Sequence, residues 1–249
     1  MSTAKQRRAA AHRKLEKQLE RRQELERQRK QQGIVLSLVA VVLVIGLVLW
    51  FAIASSDGDE VAAADCNYTS DGGSSTVGMP AEDDGEIAST GTVNLSMETN
   101  RGTVEMQLDR SGAPCAVESF AHLAAAGFFD STVCHRLTTG SFGVLQCGDP
   151  TGTGTGGPGY HFKQEPPTGD DPYPAGTVAM ANSGQENSTG SQFFICYTSC
   201  STLPPDYSKV GKVTGGLDVV EAIGADGTDN GTDDGAPAEE VSITSLALA

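Results

Sequence analysis

The feature that most constrains this chain is an uncharged apolar segment of 21 residues, Ile34 to Ala54, which reads IVLSLVAVVLVIGLVLWFAIA. As a helix it would reach ~31 Å, about the thickness of the hydrocarbon core of a bilayer. Eleven Lys and Arg against four Glu precede it in residues 1–33, whereas six Lys and Arg against twenty-eight Asp and Glu follow it. Because basic flanks stay inside, the sequence predicts a single-pass anchor in the cell membrane, with residues 1–33 in the cytoplasm and the remainder outside.

A cleaved signal peptide is the alternative interpretation of this segment. Ala52-Ile53-Ala54 resembles a small-residue cleavage site. However, the basic region is long, and the apolar run exceeds the ~7–15 residues of a signal peptide. We therefore expect an uncleaved anchor, with cleavage at Ala54 left open. The acidic excess beyond the anchor argues against nucleic acid as a partner, although such a charge also simply keeps a domain soluble.

The rest of the chain divides by composition. Residues 55–91 are rich in Ser, Asp, Gly and Ala, which predicts a flexible linker. From Thr92 to Ala249, short runs with alternating or continuous apolar residues predict a folded domain. Strands are predicted for a hairpin on either side of Asn100-Arg101-Gly102 and for Val133–Leu137, Val144–Gln146, Thr177–Ala181, Gln192–Tyr197 and Val241–Leu248; helices are predicted from Pro114 to Gly127 and over Leu217–Ile223. Many short strands with two helices indicate a mostly antiparallel barrel.

The glycine-rich run Gly152–Gly157 formally matches the dinucleotide-binding pattern G-x-G-x-x-G. Such a site needs a strand before the run and a helix after it. Here Asp149-Pro150 precedes and Pro158-Gly159 follows, so neither flank fits. The glycines instead predict a tight loop in which the backbone approaches other groups closely.

Three polar residues interrupt otherwise apolar strands. Arg136 lies between apolar neighbours, where a buried charge without a partner would be costly. Gln146 and Gln192 are similar cases. Each could equally lie on the solvent face of its strand, so the residues alone leave their role open.

Five motifs stand out along the folded part of the chain: Cys134-His135-Arg136-Leu137, the run LQCGDPTGTG over 145–154, Met180-Ala181-Asn182-Ser183-Gly184, the run GSQFFI over 190–195, and Gly211-Lys212-Val213. Together they resemble the cyclophilin-type peptidyl-prolyl isomerases, in particular membrane-anchored bacterial, actinobacterial-like members. They occur in family order and at near-family spacing over about 155 residues, and the set is far more specific than any one piece.

The resemblance implies an eight-stranded antiparallel barrel capped by two helices, with a substrate groove on its outer face. It implies isomerisation of X–Pro bonds in proline-containing polypeptides, with no cofactor or metal and no reason to expect an oligomer. Arg136 would be the catalytic residue. The implied substrate-binding residues are Gln146, Ala181, Asn182 and Gln192 along the groove, Phe194 and Leu203 around the proline, Val144 where the family usually has Met, and Tyr207 where animal members have His.

The chain departs from the family pattern near the pocket. Two extra residues separate Arg136 from Gln146, so Gly143 takes the place of a pocket Phe and Phe142 is the nearest aromatic residue. Thr202 replaces the Trp associated with tight cyclosporin binding, which predicts weak cyclosporin affinity. A cyclophilin fold used as a binding or chaperone module with little turnover is therefore the alternative function.

Six cysteines follow the apolar segment, and an even number in an exported domain suggests disulfides, with fifteen possible pairings. A zinc site is not expected, because only three histidines accompany them and no Cys-x-x-Cys occurs. Cys115 and Cys134 begin the first predicted helix and the strand after it, so we expect them to pair. We also expect Cys66–Cys147, which would tie the linker near the glycine-rich loop, and Cys196–Cys200, which would close a small loop beside the pocket.

Overall fold

The computed structural model describes residues 66–72, 77–80 and 87–249, all within the compact unit Val61–Ala249. The predicted cytoplasmic segment, the predicted anchor and most of the predicted linker lie outside these residues. Within the described ranges, no helix is long and apolar enough to span a bilayer.

The described residues form twelve strands and two helices. The strands are β1 (Thr69–Ser70), β2 (Thr92–Thr99), β3 (Gly102–Asp109), β4 (Thr132–Val133), β5 (Arg136–Thr138), β6 (Val144–Cys147), β7 (Tyr160–His161), β8 (Thr177–Met180), β9 (Phe193–Cys196), β10 (Lys209–Gly215), β11 (Asp234–Gly235) and β12 (Ser242–Leu248). The helices are α1 (Pro114–Ala125) and α2 (Leu217–Asp226).

Ten of these strands form one curled antiparallel sheet in the order β11-β5-β6-β9-β8-β10-β3-β2-β12-β4, and β1 pairs separately with β7. The mostly antiparallel prediction is confirmed. The strand number differs from the predicted eight, because the sheet ends on two additional two-residue strands, β4 and β11. The predicted strand Val133–Leu137 is divided: β4 pairs with β12, whereas β5 pairs with β6.

The predicted hairpin is present as β2 and β3, which pair from Thr92↔Asp109 to Thr99↔Gly102. Alternate residues of both strands enter the main core, where Leu95, Met97 and Leu108 are essentially inaccessible to solvent. The two-residue period of a strand places these side chains on one face. The face that meets α1 is therefore the apolar one.

Helix α1 begins at Pro114, as predicted, and ends at Ala125 just before Gly127. No side chain of its own caps the first turn. Instead, the Glu165 carboxylate accepts hydrogen bonds from the backbone N–H groups of Cys115 (3.2 Å) and Ala116 (2.9 Å). These are two of the N–H groups that a helix start leaves without partners. Burial nevertheless raises the pKa of Glu165. Helix α2 extends three residues beyond the predicted Ile223.

All six cysteines form disulfides, but only one predicted pair is correct. Cys196–Cys200 is confirmed, whereas Cys115 pairs with Cys66 and Cys134 pairs with Cys147. The predictions Cys115–Cys134 and Cys66–Cys147 were wrong because they ignored strand register. Cys134 lies two residues before β5 and Cys147 is the last residue of β6, so antiparallel pairing of these strands brings them together.

Candidate active site

Four neighbouring strands bring predicted site residues into one row. Arg136 in β5 lies directly opposite Gln146 in β6, and Gln146 lies opposite Phe194 in β9. Phe194 in turn lies opposite Ala179 in β8. Directly opposed side chains share a face of a sheet. This row lies on the outer face, since alternate residues of the same strands, such as Leu145, belong to the main core.

The polar end of the groove consists of Arg136, Gln146 and Gln192, which form a hydrogen-bonded chain. Arg136 Nη1 donates to Gln146 Oε1 (3.2 Å), and Gln146 Nε2 donates to Gln192 Oε1 (2.9 Å). Gln192 Nε2 then donates to the carbonyl oxygens of Gly154 (3.0 Å) and Gly156 (2.9 Å). The three polar residues singled out in the sequence are thus brought together and tied to the glycine-rich loop.

Asp149 organises that loop. Its carboxylate is completely buried and accepts backbone hydrogen bonds from Thr151 (2.7 Å), Thr153 (3.0 Å) and Gly154 (2.5 Å). Burial acts to raise the pKa of Asp149, but the hydrogen bonds, first among them that from Thr151, outweigh it and hold the pKa at about 2. The predicted tight loop with close backbone approach is therefore present.

The apolar end of the groove is a small cluster around Phe194. The Phe194 ring makes edge contacts with the rings of Tyr207 (5.4 Å between centroids) and Tyr173 (6.4 Å). Buried members of the cluster are Val144, Tyr173, Ala179, Phe194, Cys196 and Cys200, and partly buried members are Phe142, Ala181, Leu203 and Tyr207. The predicted pocket residues therefore meet on the same face as the polar end.

The two extra residues between Arg136 and Gln146 decide which side chain borders the apolar end of the groove. A Cβ atom at Gly143 would lie 2.5 Å from Tyr197 Cζ, so the Tyr197 ring occupies the space that a side chain at this position would need. The Tyr197 hydroxyl donates to Thr138 O (2.6 Å), which fixes the ring there. Gly143 therefore contributes no wall to the pocket, whereas the half-buried Phe142 packs against the apolar end.

Beside the polar end lies a cavity of about 450 Å³, lined in part by Gln146, Ala181, Asn182 and Gln192. The Asn182 side chain links two loops, because it donates to Asp206 O (3.0 Å) in the segment between β9 and β10 and accepts from Gly184 N (2.9 Å) in its own loop.

The lining of this cavity also includes Asp71 and His161, whose side chains are hydrogen-bonded to each other. Asp71 directly follows β1, the strand that pairs with β7. A part of the predicted linker is therefore ordered against the domain and shapes the groove, which its composition did not predict.

Two site residues were not found from the sequence. Asp234 binds the Arg136 guanidinium with both carboxylate oxygens (2.8 and 2.7 Å), and this contact raises the pKa of Arg136 and lowers that of Asp234. Asp234 lies in an acidic, glycine-rich run that is typical of a solvated loop. Tyr173 is completely buried, its hydroxyl donates to Tyr207 O, and burial raises its pKa to about 12. Its flanking prolines were the only available signal.

The arrangement places a charged hydrogen-bond donor in the same row as a cluster of apolar side chains, with the cavity of about 450 Å³ beside them. Chemically, it suits a peptide that inserts an apolar side chain while its amide meets the guanidinium. Among the described residues, no group of three or more His, Cys, Asp or Glu could hold a metal ion.

Comparison with known proteins identifies the family. Residues 94–248, more than half of the chain, match the model of the cyclophilin type peptidyl-prolyl cis-trans isomerases. A probable peptidyl-prolyl cis-trans isomerase B of Mycobacterium leprae is 49% identical over 170 residues, which are 63% of this chain and 57% of that protein. A Helicobacter pylori peptidyl-prolyl cis-trans isomerase is 37% identical over 134 residues, which are 53% of this chain and 80% of that protein.

Solved structures agree with these relatives. A crystal structure of a Cryptosporidium parvum cyclophilin type isomerase matches with a TM-score of 0.58 and 30% identity, covering 64% of this chain and 98% of that one. A second structure of that protein, determined in the presence of the dipeptide Ala-Pro, matches with a TM-score of 0.57 and 31% identity, covering 63% of this chain and 98% of that one. The chain spans little more than half the length of the mycobacterial relatives. The fold, the groove and the sequence matches agree, and the chain belongs to the cyclophilin-type peptidyl-prolyl cis-trans isomerase family.

Proposed function

We propose that this protein catalyses cis–trans rotation about X–Pro bonds in polypeptides outside the cytoplasm and so assists their folding. One observation carries the proposal: a hydrogen-bonded arginine, Arg136, lies in the same row of the sheet as the apolar pocket around Phe194. The names of the relatives and the Ala-Pro dipeptide used with the Cryptosporidium parvum protein support a proline-containing substrate.

The chemistry needs only a well-placed donor. An X–Pro bond strongly prefers neither isomer (about 0.5–1 kcal/mol), yet the barrier between them is about 18–20 kcal/mol because rotation breaks amide resonance. In the twisted transition state, the prolyl nitrogen regains its lone pair and accepts a hydrogen bond better than in either ground state. A donor aimed at that nitrogen therefore stabilises the transition state selectively, which is the requirement for catalysis.

We assign that donor to Arg136, which stays charged at any working pH. Phe194 and Leu203 would hold the pyrrolidine ring, with Phe142, Val144 and Tyr207 completing the pocket. A fixed ring lets the acyl part of the substrate turn. The pocket also excludes water from the amide, and this favours the less polar twisted form.

Gln146 and Gln192 would bind the substrate backbone and keep Arg136 in place through their hydrogen-bonded chain. Ala181 and Asn182 would line the path of the chain next to the proline. Neither role needs a nucleophile. Both directions of the rotation pass through the same twisted transition state, so the same residues serve for both.

The location outside the cytoplasm rests on three features. The apolar segment 34–54 is long enough to span a bilayer, and its basic flank is N-terminal. The described residues contain three disulfides, which persist in oxidising compartments. Expression of the full chain in a bacterial host, followed by membrane fractionation and protease treatment of spheroplasts, tests the location. Recovery of the domain in the cytosol with reduced cysteines would refute it.

The decisive experiment on activity compares the full chain with its Arg136→Ala variant, both in detergent, on a proline test peptide. We expect kcat/KM to fall at least ~10²-fold, the scale for loss of one electrostatic donor, while the circular dichroism spectrum is unchanged. A near-wild-type rate for the variant would exclude the assignment of Arg136.

A binding module with little turnover is the second candidate, favoured because Gly143 contributes no side chain to the pocket wall. Suppression of client aggregation, measured beside the peptide assay, separates the two. Equal suppression by wild type and Arg136→Ala, together with no turnover by either, would favour the binding module.

A further inference from the structure

The Arg136 side chain is held from two sides. Its Nε and Nη2 atoms donate to Asp234 Oδ1 (2.8 Å) and Oδ2 (2.7 Å), and its Nη1 atom donates to Gln146 (3.2 Å). A guanidinium has five N–H groups, one on Nε and two on each terminal nitrogen. Three are engaged, so one N–H remains on each terminal nitrogen. The Asp234 contact therefore leaves donors free for a substrate.

Asp234 is itself fixed. It lies in β11, where it pairs with Thr138 of β5, the strand that begins at Arg136. Its carbonyl oxygen accepts hydrogen bonds from Thr232 Oγ1 (2.8 Å) and Asn230 Nδ2 (3.2 Å). The carboxylate therefore belongs to a strand that is aligned with the strand carrying Arg136.

The pair is placed to orient the arginine more than to stabilise the fold. The side chains of Arg136 and Asp234 are 43% and 56% exposed, and exposed ion pairs contribute little to stability. A two-point contact between a planar guanidinium and a carboxylate, however, fixes both position and plane. Arg136 would otherwise sample many rotamers along its long flexible chain.

We propose that Asp234 is a positioning residue that presents the free N–H groups of Arg136 to the substrate. This inference rests on the proposed role of Arg136 as the donor. The action of Arg136 would then also depend on a residue far along the chain, in the segment between α2 and β12.

The test uses the full chain in detergent and the Asp234→Asn variant, which keeps the shape and one acceptor but loses the charge. We expect kcat to fall about fivefold with KM changed less than about twofold, the order expected when one long side chain loses its pre-ordering. Asp233→Asn, an identical charge change one residue away, should retain the wild-type kcat. Asp234→Glu should recover part of the loss.

A spectroscopic measurement separates positioning from a general structural effect. The Nε–H signal of Arg136 in a ¹H–¹⁵N spectrum, assigned with Arg136→Lys, should exchange slowly with water in the wild type and in Asp233→Asn. It should exchange fast in Asp234→Asn, while the backbone spectrum stays the same apart from neighbours of residue 234.

These experiments distinguish an error in the role of Arg136 as the donor from an error in the role of Asp234 as its positioning residue. If Arg136→Ala retains wild-type turnover, the role of Arg136 is wrong, whatever Asp234→Asn does. If Arg136→Ala loses turnover but Asp234→Asn keeps the wild-type kcat and the slow Nε–H exchange, only the role of Asp234 is wrong. A higher kcat in Asp234→Asn would also overturn it, since Asp234 would then compete with the substrate. In an Arg136→Ala background, Asp234→Asn should have no further effect.

Discussion

The polar end and the apolar end of the groove lie on one face of the same sheet, but different interactions hold them. At the polar end, Arg136, Gln146 and Gln192 are linked by hydrogen bonds that continue into the glycine-rich loop. At the apolar end, Phe194 and its neighbours are held by packing, with the Cys196–Cys200 disulfide among the buried members. Hydrogen bonds, which are directional, couple the residues of the polar end, whereas the residues of the apolar end are held by close packing of their side chains.

This difference accounts for where the chain follows the family pattern and where it departs. Hydrogen-bonded partners must keep their donors and acceptors, since an unpaired buried polar group is costly. Apolar neighbours can change if the total volume is kept. The departures at Gly143, Val144 and Tyr207 all lie at or beside the apolar end, where Phe142 packs against the cluster, while the Tyr197 ring of the main core takes up the space next to Gly143.

The largest expected effect is at the apolar end. Phe194 is 4% exposed and contacts two aromatic rings, so Phe194→Ala should lower the free energy of unfolding by about 3 kcal/mol, the lower part of the range for such truncations. Urea unfolding measures this change. Phe194→Leu, which keeps most of the volume, should lose less than half as much. A loss below about 1 kcal/mol for the alanine variant would mean that packing does not hold this end.

A smaller effect is expected where the polar end meets the glycine-rich loop. The pKa of Asp149 is about 2 in the folded protein against 3.8 as the ordinary value, so its ionised form stabilises the fold by about 2 kcal/mol. This stabilisation is fully present above pH 3.8 and is lost as the pH falls through about 2. Asp149→Asn should therefore have a lower free energy of unfolding than the wild type at pH 6. The difference between the two proteins should become smaller as the pH falls from 3.8 to about 2.

Denaturant unfolding between pH 6 and pH 2 tests the role of Asp149. Asp170→Asn, a change of the same charge on an exposed residue, is the matched control and should leave stability nearly unchanged. If the difference in free energy of unfolding between wild type and Asp149→Asn stays constant with pH, the Asp149 carboxylate does not have the lowered pKa assigned to it.

The smallest expected effect tests the coupling within the polar end. Gln146→Ala removes the link between Arg136 and Gln192 and should lower kcat/KM about tenfold, the scale of one hydrogen bond to a charged group. Gln192→Ala should act through the same chain. The double variant should then lose much less than the product of the two single losses, because directly connected residues are not additive. Strictly multiplicative losses on a proline test peptide would show that the two glutamines act independently.

Local patterns were enough to predict much of this fold. The hairpin β2–β3 and helix α1 follow from apolar periodicity and from turn and start signals within about ten residues. The ordered motifs predicted the groove residues, and the strand register places Arg136, Gln146 and Phe194 in one row. The hairpin and helix predictions were confirmed because each depends on residues that are neighbours in the chain.

By itself, the sequence determined the family and predicted which residues form the polar end of the groove. Only the tertiary structure decided the pairing of Cys66 with Cys115, the Tyr197 ring at Gly143 and the Asp234 contact with Arg136. Each of these joins residues that are about 50 or more positions apart. Such contacts depend on strand order and register, which arise when the whole sheet closes around its core, and no local pattern records them.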